Sequence, residues 1–271
     1  MKIARVFPRR TKATPNDKDA FVGPPDMFLN PGDYESIHIS VAFTWDLNHS
    51  TELANEWQRI APVFIGGPAT GQPGGDFVPG RYMKTGYVIT SRGCPNRCPH
   101  CFVPEREGAI RELPISEGWN VLDDNLLACS ENHVLKVFDM LRRQSHKPEF
   151  TGGFEARRFK PWHAEALRSL KTDQVFFAYD QLGALEPLAV AAETCWKAGF
   201  TRASHSVRSY VLIGYKDDTP EAAEKRLRDV LALGIYPFAM TYRGKDGKKR
   251  GEFHDLAGRW CQPGVIACMV S

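Results

Sequence analysis

The apolar residues of the first 80 positions fall into short strand-like runs separated by polar segments. These runs, which are rich in β-branched and aromatic residues, lie at residues 3–7, 37–43 and 63–65. Between the last two runs, Leu53, Trp57 and Ile60 recur at helical spacing and share one face. They predict a helix over residues 51–60. Together these elements predict a small α/β lobe over residues 1–80.

Two stretches of this lobe carry neither a strand pattern nor a helix pattern. Residues 8–35 are rich in Pro, Asp and Asn, and they predict a long irregular loop between the first two strands. Residues 69–76 combine Gly, Pro, Thr and Asp in a turn-rich connector. This connector is the best candidate for the boundary between the lobe and the rest of the chain.

Beyond residue 85 the pattern changes to strands and helices in alternation. Strand-like apolar runs lie at residues 86–90, 120–122, 150–153, 175–179, 209–213 and 237–242. Apolar residues recur at helical spacing over residues 131–143, 162–170, 185–198 and 221–233. Six strands joined by helices predict right-handed βαβ units and a parallel sheet, either doubly wound or closed into a full or partial barrel. In both architectures the functional residues lie at the carboxyl ends of the strands.

The composition is that of an ordinary globular protein, since 42% of the 271 residues are hydrophobic and 25% are charged. The net charge of +3 is far below that of a strongly basic nucleic-acid-binding protein, so charge identifies no partner. No apolar run approaches the roughly 20 residues that cross a bilayer. Residues 1–10 also lack the apolar segment and cleavage site of a signal peptide. We therefore expect a cytoplasmic protein without a membrane partner.

The C-terminal residues carry two further patterns. Residues 243–251 form a basic, glycine-containing turn, which is either a solvated loop or a segment that binds phosphate or nucleic acid. The apolar run 265–270 predicts a last strand or a plug under a barrel. We expect residues 244–271 to form an extension that caps the preceding domain.

Three of the seven cysteines fall within eight residues, directly after the predicted strand at 86–90. They are Cys94, Cys98 and Cys101, spaced Cys-x3-Cys-x2-Cys. Prolines at 95, 99 and 104 exclude a regular helix or ladder strand across this segment, because proline fixes φ and supplies no N–H. Clustered cysteines in a cytoplasmic chain indicate metal binding or catalysis rather than disulfides. The other four cysteines are expected to be small buried apolar residues: Cys129, Cys195, Cys261 and Cys268.

Three thiolates on one loop suit either a soft metal ion or an iron–sulfur cluster. Structural zinc takes four Cys or His ligands, commonly in paired Cys-x2-Cys elements, and this chain has one such pair. His100 lies between the members of that pair and has little freedom to share their ion. Because a distant Cys or His could supply the fourth ligand, a zinc site remains an alternative. A 4Fe-4S cluster held by three thiolates leaves one iron free for an exogenous ligand, which is useful for chemistry.

The sequence Cys-Pro-Asn-Arg-Cys-Pro-His-Cys at residues 94–101 resembles the cluster motif of the radical S-adenosylmethionine (radical SAM) superfamily. The resemblance covers residues 81–243 and implies a partial (β/α)6 TIM-like barrel there, preceded by the small α/β lobe. It implies that the three cysteines bind a 4Fe-4S cluster whose open iron chelates S-adenosyl-L-methionine (SAM). An electron from the cluster then cleaves SAM to methionine and a 5′-deoxyadenosyl radical, which takes hydrogen from the substrate. His100 stands where the superfamily often has an aromatic residue.

The resemblance also implies SAM contacts in the motif and at the later strands. The candidates are His100, Phe102, Asp123, Asp124, Asn125, Gly152, Gly153, Glu155, Asp180, Arg208, Ile213 and Gly214. The two aspartates suit the ammonium group of SAM, and their alternative role is a strand-end turn with helix capping. The glycines allow a ligand to approach the backbone closely. Asp180 is alternatively part of a solvated turn, and Arg208 a structural cation at the opposite end of the barrel.

The lobe itself is similar to a shortened form of the lobe that precedes the barrel in cobalamin-type radical SAM proteins. The resemblance rests on its strand–helix–strand order and on Gly66-Gly67-Pro68 at its end. The chain lacks the Asp-x-His-x-x-Gly segment that supplies the lower cobalamin ligand in many such lobes. We therefore expect no cobalamin, and a lobe that serves as a scaffold or as a substrate-contacting vestige.

The sequence thus predicts an oxygen-sensitive radical SAM enzyme that acts on an unidentified substrate and takes electrons from a flavodoxin- or ferredoxin-type donor. The loop at residues 105–112 either closes over the substrate or carries solvated charges. One alternative is a zinc-stabilised, non-enzymatic nucleic-acid-binding module, which the regular βαβ pattern hardly supports. Another is a radical SAM methyl- or methylthiotransferase. Methylthio transfer normally needs a second group of three cysteines, which the scattered cysteines do not supply.

Overall fold

The computed structural model describes residues 2–180, 182–262, 264 and 266, and the chain divides into two compact units. The first unit runs to Gly118 and also includes Lys245–Gly247. The second holds Trp119–Gly244 and the residues from Lys248 onward. The first unit therefore contains the cysteine loop as well as the predicted lobe. The apolar run 265–270 lies largely outside the described residues, and its prediction as a strand or plug stays a prediction.

The first unit is built on a four-stranded parallel sheet. Its strands are β1 (Ile3–Phe7), β2 (Ala20–Val22), β3 (Ser36–Ser40) and β4 (Val63–Gly66), in the order β2-β1-β3-β4. Helix α1 (Leu47–Trp57) lays Leu53 and Trp57 against Ile37 and Ile39 of the sheet, and all four side chains are buried. β1, β3, β4 and α1 match the elements predicted for residues 1–80, whereas the compact unit that contains them runs on to Gly118. The prediction of an irregular loop over residues 8–35 is wrong at β2, which is too short to show a period.

The rest of the first unit consists of short elements around the cysteines. They are β5 (Tyr87–Val88), β6 (Ser91–Arg92), α2 (Val103–Glu107) and β7 (Arg111–Glu112). Strands β6 and β7 pair in antiparallel fashion, with Ser91 opposite Glu112 and Arg92 opposite Arg111. The cysteines thus lie between two strands of one hairpin, an arrangement that the sequence pattern did not predict.

Residues Lys245–Gly247 pack against the loop that follows β3 in the first unit. The Thr44 hydroxyl donates to the carbonyl oxygen of Lys245 over 2.7 Å. Gly247 has φ +77°, and a Cβ there would lie 2.7 Å from Cγ of Trp45. Trp45 in turn stacks on Phe43, with 4.7 Å between ring centroids. The basic turn is therefore a packed segment at Gly247 and not wholly a solvated loop.

The second unit consists of parallel strands whose spatial order follows the chain. Its strands are β8 (Asn120–Val121), β9 (Glu149–Phe150), β10 (Val175–Tyr179), β11 (Val207–Ile213) and β12 (Tyr236–Thr241). β8 pairs with β9, and β10, β11 and β12 form a sheet in that order. A parallel bridge between Phe154 and Phe177 joins the residues after β9 to β10. The predicted α/β class with parallel strands is confirmed.

The helices of the second unit connect these strands and cover their apolar side chains. They are α3 (Glu131–Arg142), α4 (Pro161–Ser169), α5 (Leu185–Lys197), α6 (Pro220–Ala232) and α7 (His254–Arg259). The first four match the predicted helices, while α7 was not predicted. Helix α6 begins where expected, because the Thr219 side chain accepts a hydrogen bond from the amide of Ala222. Within the described part of the chain, no helix is long and apolar enough to cross a membrane.

In the first turn of helix α4, a histidine acts as a hydrogen-bond acceptor. Nδ1 of His163 accepts from the backbone amide of Lys160 over 2.9 Å, and the imidazole is buried. Burial, with a smaller contribution from the charge of Lys160, lowers the pKa of His163 from 6.5 to about 4. The neutral imidazole is therefore the form that stabilises the start of this helix.

We expect the stability of the protein to fall on acidification because of His163. The pKa is lower in the folded protein than in the unfolded chain, so the unfolded chain binds the proton first. The contribution of the neutral side chain is present above pH 6.5 and is lost as the pH falls towards about 4. H163Q keeps an acceptor that does not titrate. The free energies of unfolding of both proteins, measured at about pH 7 and about pH 4.5, should converge or cross at the lower pH. Parallel curves would contradict this assignment.

Candidate functional site

The three predicted ligand cysteines lie on one partly exposed loop between β6 and α2. Cys94, Cys98 and Cys101 are each half-buried, and none is in a disulfide. The backbone amide of Cys101 donates to the carbonyl oxygen of Cys98 over 3.0 Å, which closes the last turn of the loop. Helix α2 starts directly afterwards, with Pro104 in its first turn, where a missing N–H costs nothing.

The hairpin of β6 and β7 fixes where this loop begins. The amide of Cys94 donates to the carbonyl oxygen of Gly108 over 3.2 Å. Gly93 has φ +88°, and a Cβ at this position would overlap the carbonyl oxygen of Ala109. Only glycine fits here, because the conformation is left-handed and the opposite chain leaves no room. Thr90 and Ser91 before it are fully buried. The first cysteine is therefore held by the backbone of both strands.

The donor set of this loop fits an iron–sulfur cluster. The three half-buried cysteines lie outside any disulfide, as an incoming cluster requires, and thiolate sulfur is its usual ligand. A 4Fe-4S cluster takes one thiolate at each iron, so its ligands do not have to converge on one ion. Among the described residues, no three or more His, Cys, Asp or Glu side chains are grouped as ligands of a single metal ion.

His100 and Phe102 lie beside the cysteines. His100 is half-buried in the turn between Cys98 and Cys101, and Phe102 leads into α2 with 37% of its surface exposed. The ammonium group of Lys245 is 5.5 Å from the centroid of the Phe102 ring, within the range of a cation–π contact. The sequence offered no sign of this contact, because the two residues are far apart in the chain.

In the second unit, the predicted segments after β8 and β9 lie together. A Cβ on Gly152 would overlap the carbonyl oxygen of Asp123, so the two backbones touch. The amide group of Asn125 donates to Oε2 of Glu155 over 2.7 Å. The same oxygen accepts from Nε of Arg158 over 2.9 Å. Two carboxyl ends of adjacent parallel strands thus form one polar cluster, as the rule for such sheets predicts.

Other predicted residues are placed near this cluster or along its edge. Asp123 and Asn125 are buried, Asp124 is half-buried, and Gly153 has φ +73° beside the ring of Tyr210. Asp180 follows β10 and is half-buried. The cysteine loop belongs to the first unit, whereas all these residues belong to the second.

The carboxyl end of β11 is occupied by the chain itself. The amide of Gly214 donates to Oδ2 of Asp218 over 2.8 Å. A Cβ on Gly214 would lie 3.1 Å from the ring of Phe253, which is fully buried. Ile213 is buried as well. Phe253 is a neighbour of this strand end that the sequence did not reveal.

Arg208 lies at the opposite, amino-terminal end of β11. Its Nε donates to the carbonyl oxygen of His205 over 3.0 Å. Its guanidinium carbon is 5.8 Å from the ring centroid of Phe176 and 5.3 Å from that of Tyr236. Since ligands of parallel sheets bind at the carboxyl ends, this position favours the structural interpretation of Arg208.

The scattered cysteines differ in their surroundings. Cys195 is fully buried, and burial raises the pKa of its thiol to about 12, as expected for a small apolar residue. Cys129 is half-buried. The prediction for Cys261 is wrong, because this residue is exposed and its thiol donates to the carbonyl oxygen of Ala239. Cys268 lies outside the described residues.

The loop at residues 105–112 contains the main feature that the sequence interpretation missed. Glu105 and Glu112 are exposed, but Glu107 is buried and surrounded by arginines. Of the two alternatives for this loop, the one with solvated charges does not hold at Glu107, and closure over a substrate stays a prediction. A signal existed in the arginines at positions 92, 106 and 111, although their convergence depends on the hairpin.

No protein-family model matches the chain, and no curated protein matches it. The candidate site therefore rests on its own geometry and chemistry.

Proposed function

We propose that the chain is a radical SAM enzyme in which Cys94, Cys98 and Cys101 hold a 4Fe-4S cluster. The observation that carries this proposal is one loop with three half-buried cysteines outside any disulfide, fixed at Cys94 by the hairpin and at Cys101 by a turn. A partial barrel is part of the proposal. The chain-ordered parallel strands from β8 to β12, bridged at Phe154 and Phe177, support it.

When bound, such a cluster supplies the electron that cleaves SAM to methionine and a 5′-deoxyadenosyl radical, which takes a hydrogen atom from the substrate. The three cysteines would bind the cluster as thiolates. The hairpin of β6 and β7 holds the start of their loop in place. Phe102 offers a half-exposed ring for stacking at the end of the loop. We propose no catalytic side chain for the substrate step.

The polar cluster after β8 and β9 is the proposed binding site for the amino acid part of SAM. Asp123 brings negative charge, which suits an ammonium group, while Glu155 beside it is held by hydrogen bonds from Asn125 and Arg158. Close contact between Gly152 and Asp123 fixes the backbone of both segments. Arg208 has no role in this proposal, because it lies at the other end of its strand.

A flavodoxin- or ferredoxin-type donor in a reducing compartment such as the cytoplasm fits this chemistry, since thiols stay reduced there. The first unit is proposed as a scaffold without cobalamin. The proposal names no substrate class.

The test is anaerobic reconstitution with ferrous iron and sulfide, followed by reduction with dithionite and addition of SAM. We expect about four irons per chain, an electron paramagnetic resonance signal of a reduced cluster that changes when SAM is added, and formation of methionine and 5′-deoxyadenosine. A chain that takes up one zinc ion, shows no reducible cluster and leaves SAM intact would overturn the proposal.

A further inference from the structure

Glu107 is a buried carboxylate at the end of α2, and its side chain is only 1% exposed. Nε of Arg106 donates to its Oε1 over 2.9 Å, and a terminal nitrogen of Arg111 donates to its Oε2 over 3.1 Å. Arg92 places a terminal nitrogen 3.7 Å from Oε1. Three guanidinium groups thus share one carboxylate. Burial of a carboxylate carries a desolvation cost, which the three ion pairs offset.

The same carboxylate also holds the connector that precedes the cysteine hairpin. The amide of Gly74 donates to both oxygens of Glu107, over 3.2 and 3.0 Å. Nε of Arg92 donates to the carbonyl oxygen of Gly75 over 3.2 Å. A terminal nitrogen of Arg111 donates to the carbonyl oxygen of Gly74, also over 3.2 Å. The segment predicted as a domain boundary is therefore tied to the hairpin through Glu107 and its arginines.

This network reaches the cysteine loop from both sides. Arg92 lies two residues before Cys94, and Gly108, which directly follows Glu107, accepts the amide of Cys94. Arg106 belongs to the short helix that follows Cys101. Replacing Glu107 would therefore disturb the backbone hydrogen bond that holds Cys94. It would also leave the positive charge of three arginines beside the loop without its counter-charge.

We propose that Glu107 is a positioning residue for the cluster: it holds the cysteine loop in shape and offsets the positive charge of Arg92, Arg106 and Arg111 beside it. The charge part of this inference rests on the proposed function, whereas the positioning part does not. Glutamine cannot replace the carboxylate, because its amide nitrogen would face a donor from Arg106 or Arg111, whichever way it is turned.

The first experiment uses the cluster-free protein and compares E107Q with E105Q. Glu105 lies on the same helix and is exposed, so E105Q removes the same charge without touching the network. Alkylation of individual cysteines by iodoacetamide is followed by mass spectrometry. We expect Cys94, Cys98 and Cys101 to react at least about threefold faster in E107Q, while Cys261 and all cysteines of E105Q react as in the wild type. Equal rates in E107Q and E105Q would overturn the positioning role.

The second experiment measures the midpoint potential of the reconstituted cluster. Loss of a nearby negative charge stabilises the more negative, reduced cluster, so E107Q should shift the potential upward. The double variant E107Q/R111Q removes one positive charge as well and should bring the potential back towards the wild-type value. A potential in E107Q equal to that in E105Q, or no return in the double variant, would overturn the charge role. If E107Q does not fold, E107D and the double variant are compared in both experiments. E107D keeps the charge but is one methylene shorter, so it should keep the wild-type potential and make the three cysteines react faster.

The two failures can be told apart. A wild-type chain that takes up no cluster would overturn the proposed function together with the charge role of Glu107, and the alkylation rates would still decide its positioning role.

Discussion

Replacing Cys98 with serine is expected to abolish SAM cleavage by the reconstituted protein. Cys98 is the middle one of the three proposed ligands, and its carbonyl oxygen also accepts the amide of Cys101. The backbone bond survives the substitution, but serine is a poor ligand for a cluster that prefers thiolates. Because loss of an outer-shell contact already costs 10–100-fold in metal sites, we expect more than about 100-fold loss here. Iron content and 5′-deoxyadenosine formation measure it.

The matched control is C261S, which changes an exposed cysteine outside the loop. Its hydroxyl can keep the bond that the thiol donates to Ala239, so cluster content and activity should equal those of the wild type. A C98S protein that binds a full cluster and cleaves SAM would show that Cys98 is not a ligand. Loss of cluster in both variants would point to general thiol damage instead.

The second large effect is expected for G93A. An alanine with φ +88° carries a backbone cost of about 1–2 kcal/mol, and its Cβ would also overlap the carbonyl oxygen of Ala109. The antiparallel strands β6 and β7 must then separate, which breaks the bond between Cys94 and Gly108. We expect a free energy of unfolding lower by more than about 2 kcal/mol and a cluster content well below half. Denaturant unfolding and iron analysis measure the two effects.

Gly71 provides the control for backbone strain alone. It also has a left-handed conformation, with φ +77°, but a Cβ there meets nothing within 4 Å. G71A should therefore cost only the backbone strain and leave the cluster content unchanged. If G93A and G71A lose the same stability and both keep the cluster, the close approach at Ala109 does not hold the loop.

Most of the regular elements could be predicted from the sequence, because their side chains repeat over several turns or strand residues. Helix α6 is an example: Thr219 and Pro220 mark its start, and Leu227 lies on its buried face. The strands β10, β11 and β12 are long apolar runs whose burial is dictated by composition.

The elements that escaped prediction are short or depend on distant partners. Strand β2 has three residues and β6 and β7 have two each, so no period can be read from them. Glu107 looks like one more surface charge in the sequence, since its burial depends on arginines that a hairpin brings together. The position of Arg208 at the start of its strand could be read from the sequence, but its contacts with Phe176 and Tyr236 could not.

In the candidate site too, local features could be predicted from the sequence, whereas contacts between distant residues could not. The cysteine loop could be predicted as the candidate site, because its three cysteines lie within eight residues of the sequence. The contact between Asp123 and Gly152 could be expected from the strand-end rule alone. The packing of Phe253 on Gly214 and of Lys245 on Phe102 could not, since these residues come from the C-terminal part of the chain.

The packing of Gly247 on Trp45 means that the first unit is completed by residues made long after its strands. The hydrogen bond from Thr44 to Lys245 joins residues 201 positions apart, so closing this loop costs entropy that no local contact has yet offset. During synthesis, the strands of the first unit can pair long before Lys245–Gly247 exist. Trp45 therefore lacks its contact with Gly247 until residue 247 has been made. A fragment that ends at Gly118 would therefore keep every strand of the first unit and the stacking of Trp45 on Phe43, but would lack the contact of Trp45 with Gly247.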